Sequence, residues 1–324
     1  MWTVSPGSHG RENGTVIWAE RPRPQRRLLK QDRVNEMSRY IAKGIQKLAF
    51  AAVVAMLAGT GAAEASDNAP GLSQAIGALV YEPRTDALYR SDGRALYRRS
   101  TEGREWTKVP LTALPDGGRI AAVAVSAGEQ SQLYVAGLGL GVLKSVDAGK
   151  SWSHVDQGLP GRDVIAFAAH STAPDTLFAV VAGEGVYRSE DGGAQWRMVD
   201  KGPDAKVRRF IHSNLEGSMQ SGWLFAATDK GAYRSMDCFC GWRPAGSLPG
   251  PVAAVTYDPN RPKELYAAVG EQLYRTVNGG EEWEAAGSPG TEITALAHSP
   301  SGVLYALLAD GRVVHRSRMS KRWQ

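Results

Sequence analysis

The sequence predicts an all-β chain folded as a six-bladed β-propeller, and three observations predict it. Tryptophan recurs at Trp106, Trp152, Trp196, Trp242, Trp283 and Trp323, at separations of 46, 44, 46, 41 and 40 residues. Each tryptophan closes a similar phrase, clearest in VLKSVDAGKSW (142–152), VYRSEDGGAQW (186–196) and LYRTVNGGEEW (273–283). Upstream of every phrase stand two short strand-like runs, and no helix-length 3.6-residue pattern interrupts them. A period of about 43 residues with up to four short strands per copy is the signature of blades, in which radial repetition leaves only short, protected edges. A parallel β-helix is the alternative, but its repeats are usually shorter and do not place one tryptophan per copy.

The N-terminus differs in kind from the repeats. Arg39, Lys43 and Lys47 precede the apolar run LAFAAVVAMLAG (48–59), and Ala63-Glu64-Ala65 precedes Ser66. A basic start, a short apolar middle and a small-residue end read as a secretory signal peptide over residues 37–65. The run is short for a membrane span, so no stable membrane insertion is expected after cleavage. Met37 stands directly before the basic start and reads as the biological start, which makes residues 1–36 a non-native N-terminal extension. The propeller then occupies residues 66–324, as a monomer in the periplasm or secreted. Residues 1–65 carry ten Lys and Arg against five Asp and Glu, which equals the whole chain's formal +5. The remainder is balanced, so no basic field argues for nucleic acid.

Within each copy the first run alternates apolar and small residues: IGALVYEP (76–83), IAAVAVS (120–126), VIAFAAH (164–170), VRRFIHS (207–213), VAAVTYDP (252–259) and ITALAHSP (293–300). The second run is ALYRS, QLYVAG, TLFAVV, WLFAAT, ELYAAV or VLYALL. The third strand enters the phrase and the fourth begins at its tryptophan. Turn chemistry explains the phrase itself, Ser/Thr-x-Asp/Asn-x-Gly-x-x-Trp. A short carboxylate such as Asp147 or Asp191 accepts turn N–H groups, Gly149 or Gly193 permits positive φ, and Trp152 or Trp196 supplies apolar surface beneath the hairpin. Ser145 and Ser189 complete these copies, as Asn278, Gly280 and Trp283 do in the fifth. The fourth keeps Ser235, Asp237 and Trp242 in register but has Phe239 in the glycine position. The first and last, RSTEGREW and RSRMSKRW, are one residue short and lack the Asp.

The phrase resembles the Asp-box, or BNR, repeat of bacterial sialidases, xyloglucanases, sortilin-type receptors and propellers similar to a photosystem II assembly factor, over nearly all of residues 70–324. The resemblance implies that these phrases form Asp-box hairpins between the third and fourth strands of each blade, on the face opposite the usual ligand site. Each Asp belongs to a different blade, which argues for a structural role and against acid catalysis.

Candidate binding residues therefore fall in the linkers entering each first strand, where LTALPDGGR, QGLPGRD, KGPDAKVRR, GSLPG and GSPGTE vary while the blades repeat. Arg208 and Arg209 break the composition of the fourth first strand, Lys206 precedes them, and Arg119 and Arg162 lie in preceding linkers. This basic set suits an acidic ligand; ordinary pairing with Asp163, Asp204 or Glu292 is the alternative, and Asp163 and Glu292 join the candidate site. His170, His212 and His298 lie on separate blades, and their recurrence reads as a packing or rim position, so no metal and no cofactor are expected. Cys238 and Cys240 lack the spacing of a Cys-x-x-Cys site and further zinc ligands; a disulfide, two thiols and an intermolecular link all stay open.

No residue is assigned a catalytic role. The Phe-Arg-Ile-Pro phrase expected near the first blade of a sialidase is absent, and no carboxylate pair is seen to converge as a glycosidase needs. The expected function is an exported binding or assembly protein presenting variable loops to an unidentified protein or glycan partner. A glycoside hydrolase of the sialidase or xyloglucanase type is the alternative, and whether the chain is an enzyme stays open.

Overall fold

The computed structural model describes residues 77–324 apart from 112, 113, 129, 131, 319 and 321. The expected extension (1–36), the expected signal peptide (37–65) and the first residues assigned to the propeller lie outside them. The described residues form strands and no helix, arranged in six sheets. Five sheets have four strands and the sixth has three, each built from consecutive antiparallel strands. The six first strands are Ala78–Glu82, Arg119–Val125, Val164–Ala169, Val207–Ser213, Ala254–Asp258 and Ile293–His298. Each touches the next and the sixth touches the first, so they line the axis of a closed six-bladed propeller.

Burial explains the composition of the strands. The second strands Leu177–Val181 and Trp223–Thr228 are buried at every residue, which is why they read as continuous apolar runs instead of alternating ones. The outer fourth strands Ser153–His154 and Glu284–Ala285 are two residues long and exposed. Apolar side chains collect into six clusters, one at each junction between neighbouring blades.

Blades 6 and 1 meet at the junction that closes the ring. Among the described residues no strand of blade 1 joins the sheet of blade 6. Closure comes from side chains: Leu79 and Leu88 pack on Ala295, Ala297 and Leu307, and Tyr81 stacks on Tyr305 with ring centroids 6.1 Å apart. Gln324 exchanges backbone hydrogen bonds of 3.0 and 2.8 Å with His315 and so occupies the start of a fourth strand in blade 6.

The repeated phrases form the turns between third and fourth strands. In blade 3 the Ser189 hydroxyl donates to Asp191 (2.7 Å) and accepts the Gly193 N–H (2.8 Å), while Asp191 accepts the Gln195 N–H at 3.0 Å. Ser145, Asp147 and Gly149 repeat this in blade 2, and Thr276, Asn278 and Gly280 in blade 5. Gly193 has φ +95° and lies so close to blade 2 that a Cβ would approach the Val155 side chain to 2.9 Å. The tryptophans reach across the same junctions. Trp152, Trp196 and Trp283 donate their indole N–H to the carbonyls of Pro110, Val155 and Ala245, each just beyond the outer strand of the preceding blade.

Trp196 is buried among Phe167, Tyr187 and Leu177, whereas Trp152 is half-exposed. Trp196→Ala should therefore cost about 3–5 kcal/mol, the usual range for truncating a buried tryptophan, and Trp152→Ala clearly less. Urea denaturation midpoints of the two variants test this; equal losses would contradict the difference in burial.

Candidate functional site

Six first strands meet around one axis. The third residue of the repeated run that holds each first strand is Ala78, Ala122, Ala166, Ala254 or Ala295 in five blades; in blade 4 it is Arg209. The pairing of first and second strands shifts register just before this position in blades 2, 3, 4 and 6, between Ile120 and Ala122, Val164 and Ala166, Val207 and Arg209, and Ile293 and Ala295. A bulge leaves its extra residue out of the ladder. Arg209 uses the carbonyls found there: Nη1 donates to Ala121 O (3.1 Å) and Arg208 O (3.0 Å), and Nη2 donates to Gly77 O. Its guanidinium thus crosses the channel from blade 4 to blades 1 and 2. Burial, followed by the like charge of Arg208, pushes its pKa down to about 10.

This divides the basic set expected from the sequence. Arg209 points into the channel, while Arg119, Arg162 and Lys206 are exposed on the linker face. Arg162 pairs with Asp156 at 3.2 Å, not with Asp163, which accepts the Gly139 N–H at 2.8 Å. Asp204 pairs with Lys230 at 3.3 Å. Glu292 is exposed, and its backbone carbonyl accepts the Ala309 N–H at 2.9 Å. Beyond Arg209 toward the hairpin face the channel holds a cavity of about 330 Å³. Its wall includes Val123, Phe167, Ile211, Val255 and Leu296, and its mouth is framed by residues just after the first strands, among them Pro83, Ser171, Pro259 and Pro300.

The hairpin face carries a second cluster, which joins residues the sequence reading left apart. His170 and His212, from blades 3 and 4, stack with centroids 3.7 Å apart. Both are buried, as is Asp237. His170 Nδ1 accepts the N–H groups of Thr172 (3.1 Å) and Ala173 (2.9 Å), and His212 Nδ1 accepts that of Ser171 (3.1 Å). A neutral ring whose Nδ1 accepts must carry its proton on Nε2. His170 Nε2–H then donates to Ser221 Oγ (2.7 Å), Ser221 donates to Asp237 Oδ2 (2.6 Å), and His212 Nε2 stands 3.5 Å from the same oxygen. The three ligand-type atoms lie close enough together to hold a metal. Metal ligation by Nε2 requires the proton on Nδ1, donating outward, and here the backbone presents donors to both Nδ1 atoms. The arrangement fits a locked hydrogen-bond network, not a metal set.

Asp237 is the fourth copy's turn carboxylate, and it has been redirected. Instead of capping its own hairpin it accepts Ser221 N–H and O–H, while Phe239 adopts φ +55° in the bend. Cys238 and Cys240 are joined by a disulfide across that bend. Sequence reasoning missed Ser221 altogether, because it lies in the irregular segment between the first and second strands of blade 4. His298 stands apart from the pair, its ring 5.7 Å from that of Tyr266.

Comparison with known proteins adds the fold alone. No protein-family model matches the chain, and no curated protein matches it in sequence. Among solved structures it is similar to the GH74 enzyme of Niastella koreensis, with a TM-score of 0.54 and 16% identity over 74% of this chain and 44% of that one. The chain thus spans less than half the length of that enzyme. It is also similar to a chain of the mitotic checkpoint complex, with a TM-score of 0.53 and 15% identity over 84% of this chain and 86% of that one. These likenesses agree with the propeller.

The histidine network sets a pH dependence. Burial, then the neighbouring His212, holds His170 down from 6.5 to about 4, and burial lowers His212 as well, with Asp237 opposing both shifts. Burial alone would raise Asp237, but bonds from His212 and Ser221 outweigh it and hold the carboxyl at about 2. In the unfolded chain the histidines take protons near pH 6.5, whereas the folded chain resists until about 4. Stability contributed by the network is therefore complete above 6.5 and lost as pH falls toward about 4. The urea midpoint should decline over this window, and a His170→Gln/His212→Gln variant should show a shallower decline. A midpoint that rises on acidification would contradict the neutral, locked rings.

Proposed function

We propose that this chain is an exported propeller of the BNR/Asp-box type that binds or assembles with a protein or glycan partner through its linker face. The observation that carries the reading is that the candidate linker residues combine pinned backbone with exposed side chains. The carbonyls of Arg162, Asp163, Lys206 and Glu292 accept backbone N–H groups of Gly141 (2.9 Å), Ala182 (2.9 Å), Asp229 (3.2 Å) and Ala309 (2.9 Å), while all four residues are exposed. A partner thus meets side chains whose backbone is already ordered, which reduces the entropy lost on binding. The opposite face is occupied by hairpins that use their polar groups on themselves and on neighbouring segments.

Hydrolysis of a glycosidic bond needs two carboxyl groups facing each other across it. Of the linker carboxylates, Asp163 is engaged by Gly139 N–H and Asp204 by Lys230. Binding is therefore the reading that the geometry supports best. Residues 37–65 as a signal peptide, and a periplasmic or extracellular location, belong to the same proposal. Among the described residues no helix is long and apolar enough to cross a membrane.

A photo-cross-linking side chain at Lys206 or Glu292 should yield a discrete adduct in an envelope extract. The same group at Val146, exposed on a hairpin of the other face, should not. Adducts from Val146 alone would overturn the assignment of the linker face.

A further inference from the structure

The channel contains a positive charge for which the described residues supply no counter-ion. Arg209 has no carboxylate partner among the described residues, and the one charge that perturbs it, that of Arg208, has the same sign. Burying a guanidinium without an anion is costly unless hydrogen bonds offset the loss of water. Three of its five N–H donors are used on the carbonyls of Ala121, Arg208 and Gly77. Two remain, the Nε–H, which is buried without a partner, and one N–H on Nη2.

Two donors on nitrogens that share one carbon form the fork that fits the two oxygens of a carboxylate. The space beside them is mostly apolar. Arg209 lines the 330 Å³ cavity together with Val, Ile, Leu, Ala and Phe side chains, Tyr81, Tyr257 and the rings of His170, His212 and His298 complete the wall, and the mouth lies on the hairpin face between Pro83, Ser171, Pro259 and Pro300. Such a volume lies at the lower end of the range for small-molecule pockets, about 300–1,000 Å³, which are mostly apolar with a few converging polar groups.

We infer that the channel is a binding site for a small monocarboxylate with a compact apolar body, its carboxylate seated on the free edge of Arg209 and its body filling the cavity toward the hairpin face. An isolated phosphate or sulfate would leave the apolar wall unfilled, and a neutral apolar molecule would leave the fork unused. The site differs from the linker-face surface in its residues, its ligand class and the side from which it is reached. Neither depends on the other.

The probe is 3-phenylpropanoate, with 3-phenylpropanamide as the neutral match, each titrated calorimetrically into the full chain. The acid should bind, and the amide should bind at least about tenfold more weakly, since charge-assisted hydrogen bonds are roughly twice as strong as neutral ones. In the unaltered chain the Nε–H resonance of Arg209 should shift as acid is added and not as amide is added. Arg209→Lys keeps a charge but lacks the fork, and should lose most of the acid's advantage. Should that variant fail to fold, the resonance and the acid–amide comparison in the parent still decide. No binding of the acid, equal binding of acid and amide, an unmoved Nε–H signal at saturation, or unchanged acid binding by folded Arg209→Lys would each overturn the site. None of these results bears on cross-linking at Lys206 or Glu292, so failure here and failure of the linker-face reading are separable.

Discussion

A blade of this protein cannot bury both of its faces alone, and everything else follows from that. Each sheet is apolar on two sides, so it is stable only between two neighbours, and the series ends only by closing on itself. The six apolar clusters, one per junction, are the physical form of this requirement. It also explains the hairpin tryptophans. Their indole N–H groups bond to the preceding blade, not to their own, so a phrase that reads as a turn motif is also a fastener between repeats. The same closure fixes the composition of the axis, where six strands converge and alanine stands in five of the six equivalent places.

The departures in blade 4 are linked on the hairpin face. Asp237 serves Ser221 and the stacked histidines, so it cannot tie its own turn as Asp147 and Asp191 do. The turn then lacks the network that elsewhere holds the Ser-x-Asp-x-Gly bend, and a disulfide between Cys238 and Cys240 spans it. Phe239 takes a left-handed conformation that favours glycine, and its ring packs 6.0 Å from Phe178. Loss of one local network is thus offset by an inter-blade network, a covalent link and an aromatic contact.

What was legible in the sequence was whatever repeats. Tryptophan spacing and alternating runs locate six blades, the order of strands within each, and the hairpins, because these depend on chemistry local to one copy. Relations between copies were not legible. His170 follows its strand while His212 belongs to one, and only the angle between adjacent blades brings their rings together at 3.7 Å. Arg208 and Arg209 were visible as an irregularity, yet the sequence grouped as one patch the channel residue Arg209 and the exposed linker residues Arg119, Arg162 and Lys206. Five alanines aligned with Arg209 were the available signal: a lone long side chain in a ring of methyl groups must lie across the axis or leave it.

That division separates the two faces chemically. On the linker side, carbonyls bonded into neighbouring turns hold Arg162, Lys206 and Glu292 in fixed places, so a partner meets a surface whose shape is set by unequal linkers on an equal scaffold. On the hairpin side, the turns spend their polar groups on themselves and on the preceding blade, and the opening between them leads down a mostly apolar wall, which also carries three histidines, to a single guanidinium. Since Arg209 ties Gly77, Ala121 and its own strand together, the group that marks the floor of the cavity also joins three blades at the axis. Anything bound to its free edge acts on a charge that already couples blades 1, 2 and 4, and so adds to the stability of the closed ring instead of competing with it.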